Sequence, residues 1–235
     1  MAQLEARNLH TSYGLSRVLF GVSFEVEQGS CIALIGRNGV GKTTTMRSLI
    51  GLTPPSDGEV VWEGRQIAGL APHTVAKLGI SFVPEDRRIF PELTVWENLD
   101  IARRPAEPGR QAWGEDEVFD LFPDLRDIQS RAGGVLSGGQ QQMLTIARSL
   151  MGNPRLLLLD EPSEGLAPRV VETLRERVRT LKQSGLSIVL AEQNLGFVLA
   201  LSDMCHIMEK GEIVYSGTPD HMRENRDVLD RYLTL

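Results

Sequence analysis

The stretch Cys31-Ile32-Ala33-Leu34-Ile35-Gly36-Arg37-Asn38-Gly39-Val40-Gly41-Lys42-Thr43-Thr44 decides the fold. Cys31 to Ile35 is an apolar run that reads as a buried strand, and Thr44 to Leu52 reads as a helix. Between them Gly36 to Thr43 fits the pattern G-x-x-x-x-G-K-[ST]. Strand, glycine-rich loop and helix in this order make a phosphate-binding turn. The glycines let backbone N–H groups turn inward onto phosphates, the Lys42 ammonium reaches the outer phosphates, and the Thr43 hydroxyl is a ligand for Mg²⁺.

A second run, Arg155-Leu156-Leu157-Leu158-Leu159-Asp160-Glu161, reads as a central strand buried on both faces. Asp160 at its carboxyl edge points toward the phosphates and offers the second metal contact. Glu161 follows where the chain leaves the strand, and a carboxylate there can orient or deprotonate an attacking water. Hydrolysis is the implied reaction. Ahead of this strand, Leu136-Ser137-Gly138-Gly139-Gln140 opens a helix whose apolar residues Met143, Ile146, Ala147, Leu150 and Met151 recur at helical spacing. Gly152-Asn153-Pro154 stops it. A Ser-Gly-Gly helix start presents free N–H groups that a phosphate can approach closely.

Phosphate loop, the Pro84-Glu85 loop, Leu-Ser-Gly-Gly-Gln, the Asp160-Glu161 strand end and a polar residue after the strand Ser187 to Ala191 occur here in one order. In that order the chain resembles the ATP-binding subunits of ABC transporters, from Leu4 to about Gly217. The resemblance implies an α/β fold: a phosphate-loop core with a mixed β-sheet, an antiparallel β subdomain and an inserted α-helical subdomain. It implies ATP and Mg²⁺ as ligands, with Gly36, Arg37, Asn38, Gly39, Val40, Gly41, Lys42, Thr43 and Thr44 on the nucleotide and Tyr13 stacked on the adenine. Thr43, Asp160 and Glu85 are implied for the metal. It further implies a dimer in which Ser137, Gly138, Gly139 and Gln140 of one subunit meet the nucleotide held by the other. A helix N-terminus contributes only about 0.3–1 kcal/mol to an exposed anion. That segment is therefore expected to sense ATP, with Lys42 and Mg²⁺ supplying most of the binding.

Two residues depart from the commonest pattern of the resembled family. Glu85 stands where glutamine is usual, which keeps an oxygen for metal or water but loses an amide donor. Gln193, in Ala191-Glu192-Gln193-Asn194, stands where a histidine usually contacts the γ-phosphate; it can donate a hydrogen bond but cannot relay a proton. Together with Glu161 it is the expected catalytic pair. The segment Pro84-Glu85-Asp86-Arg87-Arg88-Ile89-Phe90-Pro91, with Gly165-Leu166-Ala167-Pro168, resembles one group, the second ATPase subunit of importers for branched-chain and other hydrophobic amino acids. Importers of urea and short amides are the alternative. The implied partners are a second related ATPase, in a heterodimer or a homodimer, two permease subunits and, indirectly, an extracytoplasmic binding protein. A soluble ATPase of translation or DNA repair and a hydrolysis-defective regulatory subunit are the competing classes. The first lacks its usual second ATPase unit or basic surface, and Glu161 argues against the second.

The acidic balance, 31 Asp and Glu against 25 Lys and Arg, leaves a net charge of −6 and no global footprint for nucleic acid. No run approaches the ~20 apolar residues of a membrane span, and the resemblance then implies a peripheral subunit at the cytoplasmic face of the inner membrane. Cys31 and Cys205 lack metal or redox spacing, and His10, His73, His206 and His221 are scattered. The chain reads as one domain over 1–235: a nucleotide-binding core at 1–85 and 132–217, a helical insert at 86–131 and a helical tail at 218–235. Within the insert, Val95 to Ala102 and Glu115 to Phe122 are predicted helices, separated by Pro105, Pro108 and Gly109. The Glu85 to Leu93 groove is expected to grip a permease helix.

Overall fold

The structure, a computed structural model, describes residues 2–107, 109 and 112–233; Pro108 of the predicted breaker segment and the last two residues of the predicted tail lie outside them. The strands are β1 (Ala2–Tyr13), β2 (Ser16–Glu27), β3 (Cys31–Ile35), β4 (Asp57–Trp62), β5 (Arg65–Gln66), β6 (Ile80–Val83), β7 (Leu156–Asp160), β8 (Ser187–Glu192), β9 (Met204–Glu209) and β10 (Glu212–Gly217). The helices are α1 (Lys42–Leu49), α2 (Pro72–Lys77), α3 (Val95–Asp100), α4 (Glu115–Leu121), α5 (Pro123–Arg126), α6 (Gly138–Leu150), α7 (Pro168–Gln183), α8 (Leu195–Leu201), α9 (Pro219–Glu224) and α10 (Arg226–Leu233).

Two sheets carry the molecule. One is antiparallel, in the order β2-β1-β4-β5; the other runs β10-β9-β3-β8-β7-β6, parallel from β9 to β6 with β10 antiparallel at its edge. Alternation along the central strands splits their side chains between two cores. Leu157 and Leu159 of β7, with Ala33 of β3 and Leu190 of β8, join the helices α3 to α8; Leu156 and Leu158, with Leu34 and Val189, pack toward α1 and the antiparallel sheet. A strand buried on both faces explains the unbroken leucine run. Cys31 and Cys205 lie inside the first core, where burial pushes each thiol up to about 12 and leaves it inert.

Strands β3, β8 and β7 are neighbours and parallel, with Ile35 opposite Glu192 and Asp160 opposite Ala191. Their carboxyl ends therefore bring Gly36, Asp160, Glu161 and Gln193 to one edge of the sheet, where ligands of such sheets bind.

Between β6 and β7 the chain is mostly helical. Asn98 of α3 is fully buried and ties the loop after Glu85 to that helix: its Oδ1 accepts from Phe90 N at 2.9 Å, and its Nδ2 donates to the carbonyls of Phe90, Leu93 and Thr94 at 3.0, 3.1 and 2.9 Å. The helix start is set by Thr94, whose hydroxyl caps Glu97 N while Glu97 caps Thr94 N in return. Asn98→Ala leaves several backbone groups without partners and is expected to destabilise the protein by about 2–4 kcal/mol. Urea unfolding checks this.

Sequence and structure differ at a few ends. Helix α1 begins at Lys42, two residues before the predicted start, because Gly41 takes φ 113° and turns the loop straight into the helix. Helix α8 was not anticipated, although Asn194 caps it through Phe197 N. Helix α7 starts on Pro168, which suits its first turn.

Candidate active site

Lys42 is the centre of the site. Its side chain is 3% exposed, and its ammonium donates to the carbonyls of Gly36 at 2.7 Å and Arg37 at 3.0 Å while pairing with Glu161 Oε1 at 2.9 Å. All three N–H bonds are engaged, two by the loop itself and one by a carboxylate. Gly36 is dictated by a close approach: a Cβ there would lie 2.6 Å from the carbonyl oxygen of Met208 on β9.

Thr43 Oγ1 donates to Asp160 Oδ1 at 3.0 Å. The other oxygen of Asp160, Oδ2, is buried without a hydrogen-bond partner among the described residues. Burial, with the charges of Glu161 and Glu85 beside it, pushes the Asp160 carboxyl up to about 6, against the opposing Thr43 hydrogen bond and Lys42 charge. A buried carboxylate oxygen without a protein partner, beside a hydroxyl, makes a pair of hard oxygen donors that Mg²⁺ fits. Glu85 lines the same clefts, one of about 400 Å³ with Thr43, Arg47 and Asp160, the other of about 370 Å³ with Asn38, Lys42 and Glu161. Among the described residues no group of three or more His, Cys, Asp or Glu forms a closed cage. A cation here would take its remaining ligands from phosphate and water, as Mg²⁺ does.

Glu161 leaves β7 in the left-handed region, φ 46°, with its N–H on Ala191 O at 2.9 Å. That rare conformation turns its side chain back to the phosphate loop instead of continuing the strand alternation. Glu161 Oε2 accepts from Gln193 Nε2 at 2.8 Å, and the same nitrogen donates to Asn38 Oδ1 at 2.6 Å. Gln193 thus bridges the phosphate loop and Glu161 with the two hydrogens of one amide nitrogen, where a histidine ring nitrogen carries one at most.

Tyr13 ends β1 beside α1: its hydroxyl lies 3.5 Å from Thr53 Oγ1. Burial opposes ionisation, but hydrogen bonds from Thr53 and Thr44 and the charge of Arg47 outweigh it and lower the phenol. The ring is 46% exposed, free to stack on a flat ligand.

Ser137 and Gln140 form a reciprocal cap, Gln140 N on Ser137 Oγ at 3.3 Å and Ser137 N on Gln140 Oε1 at 2.9 Å. The Gln140 amide is thus committed to its own helix. A Cβ at Gly138 would lie 2.8 Å from Arg87 Nη1, and one at Gly139 would lie 2.7 Å from Val170 Cγ1. Packing against the short, branched Val170 side chain disfavours a Cβ at Gly139, whereas at Gly138 the mobile end of Arg87 can move aside. Ser137, Gly139 and Gln140 line a separate cleft of about 320 Å³ with Phe122, Arg169 and Thr173, away from Lys42. Within one chain the Ser137 to Gln140 segment and the phosphate loop line different clefts.

Two residues of the site were missed in the sequence. Arg87, φ 60°, reaches Gln142 of α6 at 3.3 Å and the carbonyl of Glu164 at 3.4 Å, linking the Glu85 loop to α6 and to the turn after Glu161. Glu192 is 2% exposed and accepts from three backbone N–H groups around the site. A charged residue directly after the apolar run of β8 was the available signal for it.

A strand, phosphate loop and helix, with an acidic pair at the end of the parallel strand next but one in the same sheet, define a phosphate-loop nucleotide hydrolase. Residues 19–164 match the family described as ABC transporter, and the chain belongs to that family. The high-affinity branched-chain amino acid transport ATP-binding protein BraG of Pseudomonas aeruginosa is 40% identical over 223 residues, 95% of this chain and 96% of the relative. The lipopolysaccharide export system ATP-binding protein LptB of Haemophilus influenzae is 34% identical over 236 residues, 99% and 98% of the two chains. A solved nucleotide-free ATP-binding cassette from an ABC transporter superposes with a TM-score of 0.82 at 28% identity, covering 96% of this chain and 94% of the other. The protein is therefore an ATP-hydrolysing subunit of a transporter, and its mixed α/β cassette fold is the expected one. Among the described residues no helix is long and apolar enough to cross a membrane.

Proposed function

We propose that this subunit powers import of branched-chain and other hydrophobic amino acids. The observation that carries this is the 40% identity to BraG over almost the full length of both chains, reinforced by the Pro84-Glu85-Asp86-Arg87 and Glu192-Gln193-Asn194 segments. Import of urea or short amides by the same machinery is the second reading.

In this reading the phosphate loop from Gly36 to Thr44 binds the phosphates of ATP, Tyr13 stacks on the adenine, and Ser137, Gly138 and Gly139 meet the nucleotide of a partner subunit. Mg²⁺, held by Thr43 and Asp160 with Glu85 alongside, neutralises charge on the outer phosphates when bound. Lys42 is a shared ligand: a γ-phosphate that takes its ammonium draws it from Glu161, whose carboxylate is then free to accept a proton from the attacking water. Gln193 keeps Glu161 aimed while its donors remain near the γ-phosphate. The core at 1–85 and 132–217, the insert at 86–131 and the tail at 218–235 divide the labour, with the groove near Glu85 to Leu93 gripping a permease helix. The subunit sits peripherally at the inner face of the membrane, with a second ATPase, two permeases and an extracytoplasmic binding protein.

Uptake of labelled leucine and urea in cells lacking this chain tests the substrate. Loss of leucine uptake supports the proposal; loss of urea uptake alone selects the second reading; intact uptake with a lipopolysaccharide defect overturns import.

A further inference from the structure

Glu192, at the end of β8, has a buried carboxylate bonded to backbone N–H groups. Its Oε1 accepts from the N–H of Ser163 at 2.9 Å, and its Oε2 accepts from the N–H groups of Gln193 and Asn194, both at 2.9 Å. These amides belong to two segments that leave neighbouring strands: the turn after Glu161 and the turn that carries Gln193 into α8. Sheet pairing ends at this edge with Asp160 opposite Ala191 and a bond from Glu161 N to Ala191 O. Beyond it, the carboxylate joins the two turns. Three hydrogen bonds to one ionised group are stronger than neutral ones and offset the burial of the charge.

We infer that Glu192 is a positioning residue for hydrolysis: it locks the backbones of the Glu161 and Gln193 turns in one register, so that the Gln193 amide meets Glu161 and Asn38. The inference rests on the reading of Glu161 and Gln193 given above. A glutamine at this position is not a mimic, because its NH₂ would face an N–H donor on one of the two sides. Loss of the lock lets either turn shift while the phosphate loop, Lys42 and Thr43 stay in place. ATP binding is retained and turnover falls.

The test compares Glu192→Gln, Gln193→Ala and the double variant of the full chain in steady-state ATP hydrolysis. Glu192→Gln is expected to lower kcat about 10–100-fold with KM for ATP within about twofold of the parent, and to add less than about threefold to the loss already present in Gln193→Ala. An unchanged kcat, or the same fold-loss in both backgrounds, overturns the inference. Amide hydrogen exchange is the independent readout: the N–H groups of Ser163, Gln193 and Asn194 are expected to exchange at least about tenfold faster in Glu192→Gln. If Gln193→Ala alone keeps the parent kcat, the catalytic reading of Gln193 fails and exchange alone decides, with unaltered rates at those amides overturning the lock. Should Glu192→Gln fail to fold, Glu192→Asp, which keeps the charge and shortens the reach, takes its place with the same expected directions.

Discussion

Replacing Lys42 by alanine is expected to abolish measurable ATP hydrolysis, by about 10²-fold or more, and to remove ATP binding in calorimetric titration. The ammonium organises the loop itself, through Gly36 O and Arg37 O, as well as offering charge to phosphate. Its loss also leaves Glu161, 5% exposed, without its cationic partner, though still accepting from Gln193. Removing one member of a buried ion pair costs about 3–5 kcal/mol, so the variant should unfold earlier in urea. Adding Glu161→Gln removes the uncompensated charge and is expected to recover part of that loss without restoring hydrolysis. A single variant that unfolds like the parent, or that still turns over ATP, contradicts this account of Lys42.

Glu161→Gln separates binding from chemistry. The amide fills the same space and keeps one oxygen, but it cannot accept a proton from water, so hydrolysis is expected to fall about 10²–10⁴-fold while ATP still binds. Lys42 loses its carboxylate partner and is freer for phosphate. ATP should therefore accumulate on the variant and hold two subunits together, visible as an ATP-dependent dimer in size-exclusion chromatography. Turnover at the parent rate would assign the proton to another group.

Much of the site was legible in the residues. The apolar run before Gly36, the Gly-Lys-Thr end of the loop and the leucines before Asp160 each state a local condition that the structure meets. What was not legible is what depends on distant neighbours. The order β10-β9-β3-β8-β7-β6 sets Asp160 beside Ala191, and nothing local in either strand announces that pairing. The left-handed turn at Glu161 follows from it, since the chain must leave β7 while bonding to β8. Glu192 reads as a polar residue at a strand end until three donors are seen around it. Gly138 and Gly139 were read as clearances for phosphate, yet Val170 of the same chain lies 2.7 Å from where a Cβ of Gly139 would be.

That last arrangement has an evolutionary consequence. Helix α6 can present its open N-terminus to another molecule only because the residues that keep it bare also let it lie against α7 and the Arg87 loop. Drift at Gly139 is thus policed within the monomer, where Val170 has a stiff β-branched side chain. If the proposed subunit contact were abandoned, the chain's own packing would still hold it to the small residue.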